Sequence, residues 1–251
     1  MRITATHLTQ WSDRREAQGM LPVLVRRLIS ATARTTALVM PGGDSVNIPG
    51  WDGVIETAEG NPWVPSGVSY WELGTSKDPA LKARSDFKKR LEQISKADAA
   101  RAIFVFVTSR RWPGKDAWRE SVRSLNAWAD VWVWDGDDLE AWLETSPATA
   151  LWLGIQLDIA GHGIEAVENH WAHWGNQSKP VVTASNLFVG REESRTALKN
   201  SIQQHEPLIS VMADSQSEAV AFVCALLIEE GYSTRAACVT SEEGWQFVDA
   251  N

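Results

Sequence analysis

Residues 103–107 read Ile-Phe-Val-Phe-Val, five apolar side chains without a polar interruption. A strand with one wet face alternates polar and apolar residues, so a run that is apolar throughout needs cover on both faces. A helical pattern follows at 115–129, with Trp118, Val122, Leu125 and Trp128 on one side, and a further short strand at 131–134. Strands joined through helices belong to an open sheet with helices packed on it. That expectation constrains everything else in the chain.

Upstream, apolar residues at helical spacing run from Glu16 to Ala33 through Leu21, Leu24, Val25 and Leu28, with Pro22 expected in a first turn. A short buried strand is expected at 36–40, a turn at 41–44 (Pro-Gly-Gly-Asp), and strands at 52–57 and 68–74. Asp78 is placed to cap a helix running to about Ser95 through Leu81, Phe87 and Leu91. Helices at 137–143 and 147–157 close the series, the second with Ser146 as N-cap and Pro147 at its first position. The order α-β-β-β-α-β-α-β-α predicts an α/β fold, a mixed sheet flanked by helices, over residues 1–157.

The pattern changes after Asp158. Gly161 and Gly163 break the chain, residues 165–174 look helical, and residues 176–182 are polar with a proline, so 158–185 reads as a helical linker. A second α/β unit is expected over 186–251: helices at 190–204 and 218–230, strands at 207–212 and 236–240. Two strands in some 65 residues close a core poorly. This unit is therefore expected to be partial, the chain being a piece of a longer protein, or else to be unusually small.

Fourteen tryptophans are expected to fill core positions. The net charge of −8 is unevenly placed: residues 151–251 hold 13 acidic against five basic residues, and residues 1–150 are balanced at 19 each. The acidic total therefore does not exclude nucleic acid as a partner for the first region. Cys224 and Cys238 show no metal or disulfide spacing, which fits a reducing, cytoplasmic setting. Residues 1–15 lack the apolar stretch of a signal peptide, and no run of about 18 apolar residues offers a membrane span.

The chemistry-bearing residues cluster on the second and third strands. Gly50-Trp51-Asp52-Gly53 sets one carboxylate at the start of the second strand, and Trp71-Glu72-Leu73-Gly74 sets another on the third. If the two strands pair as a hairpin, Asp52 and Glu72 face each other, sharing a side with Tyr70 and Gly74 while Trp71 and Leu73 point into the core. Two carboxylates that close repel, and a hard divalent cation relieves the repulsion. Such a cation can activate water and polarise a phosphate, and a lysine ammonium can orient the water or stabilise the developing charge. Lys77, five residues after Glu72, is the candidate lysine.

This helix, three strands, helix and strand, with Asp52 on the second strand and Glu72 on the third, resembles the PD-(D/E)xK restriction-endonuclease-like superfamily, specifically its Mrr-like branch, over residues 10–135. The resemblance implies a metal-dependent endonuclease hydrolysing DNA phosphodiesters, with Asp52 and Glu72 as ligands of Mg²⁺ or Mn²⁺. The family's lysine stands two residues after the Glu, where this chain has Gly74, so Lys77 would be its migrated counterpart. A glutamate on the first helix often assists in the family, and Glu16 is the residue in that place. The alternative is a nuclease-like module that binds nucleic acid or a protein without cutting.

Lys77, Lys82, Arg84, Lys88, Lys89 and Arg90 form a basic cluster, and Arg110, Arg111 and Lys115 lie in the loop leaving the fourth strand. Loops at the carboxyl ends of such strands border ligand crevices. Arg110, Arg111, Lys115 and Lys82 are therefore candidates for holding DNA phosphates without reading sequence. His162, His170 and His173 lack ligand partners at metal spacing and read as surface histidines.

Residues 186–192 (Asn-Leu-Phe-Val-Gly-Arg-Glu) ahead of a helix, then the strand 208–212, resemble the start of a STAND-type P-loop NTPase domain over residues 186–251. That resemblance implies a defence protein that self-associates through this region. The loop 213–218, Ala-Asp-Ser-Gln-Ser-Glu, has neither the glycines nor the lysine of a phosphate-binding loop.

Overall fold

The structure is a computed structural model and describes residues 2–43, 50–159 and 163–249. The chain divides between residues 153 and 154 into two compact units.

The first unit, Arg2–Leu153, is built on a five-stranded sheet. Its elements in chain order are α1 (Ala5–Trp11), α2 (Ala17–Thr32), β1 (Thr35–Val39), β2 (Gly53–Thr57), β3 (Gly67–Gly74), α3 (Pro79–Gln93), α4 (Lys96–Ala99), β4 (Ile103–Thr108), α5 (Lys115–Arg123), β5 (Asp130–Trp134), α6 (Gly136–Glu144) and α7 (Pro147–Gln156), which runs past the boundary. The strands stand in chain order across the sheet. β1, β2 and β3 pair antiparallel, while β3, β4 and β5 pair parallel, so the sheet is mixed as expected.

The register fixes which side chains share a face. Gly53 pairs with Trp71, Tyr70 with Phe104, Glu72 with Phe106, and Gly74 with Thr108. Tyr70, Glu72 and Gly74 therefore face the side where Phe104, Phe106, Val131 and Val133 pack against Phe87 of α3 and Trp118 of α5. Trp71, Leu73, Val105 and Val107 point to the other face, where α2 meets β3 and brings in Leu21, Leu24 and Leu28. The run at 103–107 is covered on both faces. Trp71, Trp112, Trp118, Trp128 and Trp142 are core residues, the role expected for this chain's tryptophans.

Several local expectations change. α1, unforeseen, is closed by a reciprocal cap between Thr4 and His7. The strand expected to be buried at 36–40 is one edge of the sheet, with Val39 60% exposed, because among the described residues no further strand pairs beyond it. Pro22 sits inside α2, past its first turn, and has no N–H to offer the Gln18 carbonyl four residues back. The helix expected to reach Ala129 stops at Arg123, and Asn126 beyond it takes a left-handed φ of 50°. Asp44, the last residue of the expected turn, lies outside the described residues.

The second unit, Gly154–Asn251, contains β6 (Ile164–Ala166), α8 (Val167–Gly175), α9 (Ala184–Phe188), α10 (Glu192–Gln203), α11 (Gln216–Glu229), β7 (Ala237–Val239) and α12 (Glu242–Asp249). Its one sheet among the described residues pairs β6 with β7, antiparallel. Residues 158–185, read as a linker, thus contribute β6 and α8 to this unit, and β6 replaces the expected helix start at Glu165. Gly161 and His162 lie outside the described residues. The strand expected at 207–212 does not form: among the described residues no neighbour offers its N–H and C=O groups a ladder, and Leu208 and Met212 are exposed.

Candidate active site

The site is positioned by β3 and by the helix that follows it. Asp78 caps α3 by accepting a hydrogen bond from the Leu81 N–H at 2.8 Å, and Pro79 occupies the first turn. From that start, Lys82, Asp86 and Arg90 recur every four residues and share one helix face. That face turns toward Glu72 and Gly74 on β3. The expected basic cluster therefore splits. Lys82 and Arg90 turn inward, whereas Lys77, Arg84, Lys88 and Lys89 stay exposed.

Glu72 is 2% exposed. Its Oε1 accepts from Arg90 Nε at 2.5 Å. The rest of the Arg90 guanidinium donates to the Gly50 carbonyl and to Gln93 Oε1, and it lies over the Trp51 ring. Arg90 thus ties together α3, β3 and the segment leading into β2. Asp52 lies one residue before β2, and continuation of the register sets it opposite Glu72. Asp52 Oδ2 accepts from the Leu73 N–H at 2.8 Å. Lys82 Nζ donates to Asp86 Oδ1 at 3.0 Å, and it lies 2.9 Å from Oδ2, which is buried and makes no hydrogen bond.

These groups feel one another. Burial pushes the Glu72 carboxyl up to about 7, against the pull of Arg90, and the charge of Asp52 adds to the rise. Burial also raises Asp52, opposed by the Leu73 N–H and by Lys82. Two acids driven upward at the carboxyl end of a strand, beside two cations, form the kind of perturbed cluster that marks reactive sites.

Gly74 decides the place of the lysine. A Cβ on Gly74 would lie 3.0 Å from Lys82 Cγ and 3.5 Å from Lys82 Cε. The Lys82 alkyl chain therefore fills the space that a side chain two residues after Glu72 would take. Asp52, Gly74, Ser76 and Lys82 border a cavity of about 320 Å³ with Gln18 and Leu21 of α2. Lys77, the lysine singled out in the sequence, is exposed, and its charge acts on Asp13. Glu16 is exposed ahead of α2 and stands 4.0 Å from Arg14, so α2 brings Gln18 to the cavity instead. The signal that could have found Lys82 was its four-residue spacing from Asp86 and Arg90.

The loop cations are largely spoken for. Arg110 donates to the Thr75 carbonyl at 2.8 Å and to Asp13 at 2.6 Å. Lys115 is held by Asp135 at 2.8 Å and by Asp138. Arg111 pairs with Asp137 at 2.8 Å but remains half exposed. Arg110 and Lys115 therefore brace the loop after β4, and only Arg111 keeps a wet guanidinium.

No protein-family model, curated protein or solved structure matches this chain.

Among the described residues no three carboxylate, imidazole or thiol groups stand close enough to enclose a metal ion. The donor chemistry still suits Mg²⁺ or Mn²⁺. Asp52 and Glu72 each commit one oxygen to the hydrogen bonds described above and keep a second. Mg²⁺ characteristically takes one or two carboxylates and completes its shell with water and substrate phosphate. Elsewhere, His170 pairs with Glu165 at 2.8 Å rather than standing free, and His173 is on the surface of α8. The loop 213–218 leads into α11 through Ser215, whose hydroxyl accepts from the Glu218 N–H. No helix among the described residues is long and apolar enough to cross a membrane.

Proposed function

We propose that the Arg2–Leu153 unit is a DNA endonuclese-type phosphodiesterase of the restriction-endonuclease-like kind, with Asp52, Glu72 and Lys82 as its reactive groups. The observation that carries this reading is the Lys82 side chain lying over Gly74 in the cavity that Asp52 borders, with Glu72 within reach of the Asp52 charge. Asp52 and Glu72 would hold the divalent cation, which supplies an activated water and a polarised phosphate when bound. Lys82 delivers its ammonium to the cavity and stabilises charge building on the phosphate oxygens. Asp86 positions that ammonium, and Arg90 positions Glu72. The exposed cations Lys77, Arg84, Lys88 and Lys89 on and before α3 supply the sequence-independent pull on a phosphate backbone.

The direct test is cleavage of supercoiled plasmid with Mg²⁺ or Mn²⁺. Asp52→Ala and Glu72→Ala are expected to lose at least about 100-fold in rate, as when one charge-stabilising group is removed. Parent-like cleavage by both variants refutes the assignment.

One observation favours a second reading. Glu72 already has a cationic partner in Arg90, which lessens its need for a metal. On that reading the unit binds nucleic acid and leaves it intact. DNA retention by the parent, without cleavage under either metal, would select it.

A further inference from the structure

Cys224 on α11 and Cys238 on β7 are the chain's two cysteines, both unbridged and both buried, at 3% and 8% exposure. Helix and strand bring the two thiols together in one small buried cluster with Val167. Both line a cavity of about 510 Å³ whose wall is otherwise mainly apolar, including Val167, Met212, Val220 and Leu227. The charged groups facing the pair are Glu165, Glu168 and His170, of which Glu165 and His170 are bound to each other.

The contact makes the two thiols unequal. Its neighbour Cys224 draws the Cys238 thiol down, helped by the charge of His170 and opposed by burial and by Glu165, while the Cys224 thiol is pushed up. Cys238, also the less deeply buried of the two at 8% exposure against 3%, is thus placed as the nucleophile and Cys224 as its proton-bearing neighbour. Apolar walls favour a small uncharged reagent over glutathione or another charged thiol.

We propose that Cys224 and Cys238 form a redox-modification site that reacts with a small hydroperoxide reaching it through this cavity. The Cys238 thiolate attacks the terminal oxygen of the peroxide bond. That bond breaks, the alkoxide leaves and takes a proton as an alcohol or water, and Cys238 becomes a sulfenic acid. The Cys224 sulfur then displaces the sulfenic hydroxyl, which leaves as water with the remaining thiol proton, and a disulfide forms. In sum, two thiols and one hydroperoxide give one disulfide, one alcohol (or water) and one water. The peroxide gains two electrons, and each sulfur gives up one. The product pins β7 to α11 across the cavity.

The test exposes the reduced full chain to hydrogen peroxide and follows intact mass, thiol titration and peptide mapping. The expected result is loss of two hydrogen masses, loss of both thiols within one chain, and reversal by dithiothreitol. Cys224→Ser should stop at a sulfenic acid on Cys238 that dimedone traps, while Cys238→Ser should react at least about tenfold more slowly, because the thiolate is the nucleophile. Two intact thiols after treatment that oxidises a free-cysteine control would overturn the proposal. So would bridges only between chains, or equal rates for the two variants. Mapping of the parent decides the matter even if a serine variant fails to fold.

Discussion

The two units handle the same materials differently. In Arg2–Leu153 the apolar run of β4 finds a strand on each side and helices on both faces, and charged side chains are drawn inward with their partners. In the second unit the apolar residues at 208–212 find no strand to pair with, and Met212 is left 97% exposed. Its ion pairs, Arg191–Glu218, Arg195–Glu229 and Lys199–Glu230, lie toward the surface. The difference teaches that β-forming composition makes a strand only where a neighbour can take its hydrogen bonds. It also teaches that charges are buried together where a sheet already fixes the geometry.

The largest test of this contrast sets one ion pair against another. Arg90→Met leaves Glu72 buried without its cation, and unfolding by denaturant should show a loss of about 3–5 kcal/mol. Lys199→Met removes a half-exposed pair and should lose less than about 1 kcal/mol. Equal losses would break the comparison.

Next comes Asp135, which caps α6, holds Lys115 and accepts from the Trp112 N–H. Burial alone would raise its carboxyl, but Lys115 and the backbone N–H outweigh burial and hold it below the usual range. A depressed folded pKa means stability that is full above the unfolded value of about 4 and lost as pH falls through the folded one. Asp135→Asn should therefore lose about 2 kcal/mol near neutral pH. The gap to the parent should close on acidification below about pH 4. A gap that persists in acid would show that shape, and not charge, holds this loop.

Smaller effects sharpen the contrast at helix starts. Asp78→Ala should lose about 1 kcal/mol, and the longer cap bond of α11, 3.3 Å against 2.8 Å, makes Ser215→Ala milder, about 0.5 kcal/mol. Smallest of all, Met212→Ala should stay within about 0.5 kcal/mol in the same unfolding experiment. A larger loss would mean that the Met212 side chain is packed after all.

Much of the first unit was legible because its signals are local and agree. The apolar run at 103–107, Asp78 before Pro79, and Pro147 at a helix start each name an element, and the mixed sheet follows from their order, but Ser146 does not cap α7 as expected, for its hydroxyl is buried without a hydrogen bond. The pairing of β2 with β3 was equally readable, and it brings Asp52 close enough for its charge to act on Glu72. The lysine was not. Lys77 is nearer Glu72 in the chain, yet the turn into α3 carries it to the exposed side, and one further turn of helix returns Lys82 to Gly74. Distance along the chain misled where helical phase decides. The loop cations misled for another reason: whether Arg110 and Lys115 are free depends on Asp13, Asp135 and Asp138, which come from other segments.

The most direct measurement of the account relocates the lysine. Lys82→Ala should lower plasmid cleavage at least about 100-fold, while Lys77→Ala leaves it near the parent's rate. Truncation at position 82 frees the space over position 74, so adding Gly74→Lys to Lys82→Ala should recover at least about tenfold of the lost rate. Cleavage by Lys82→Ala at the parent's rate, with Lys77→Ala the inactive variant, would contradict the account.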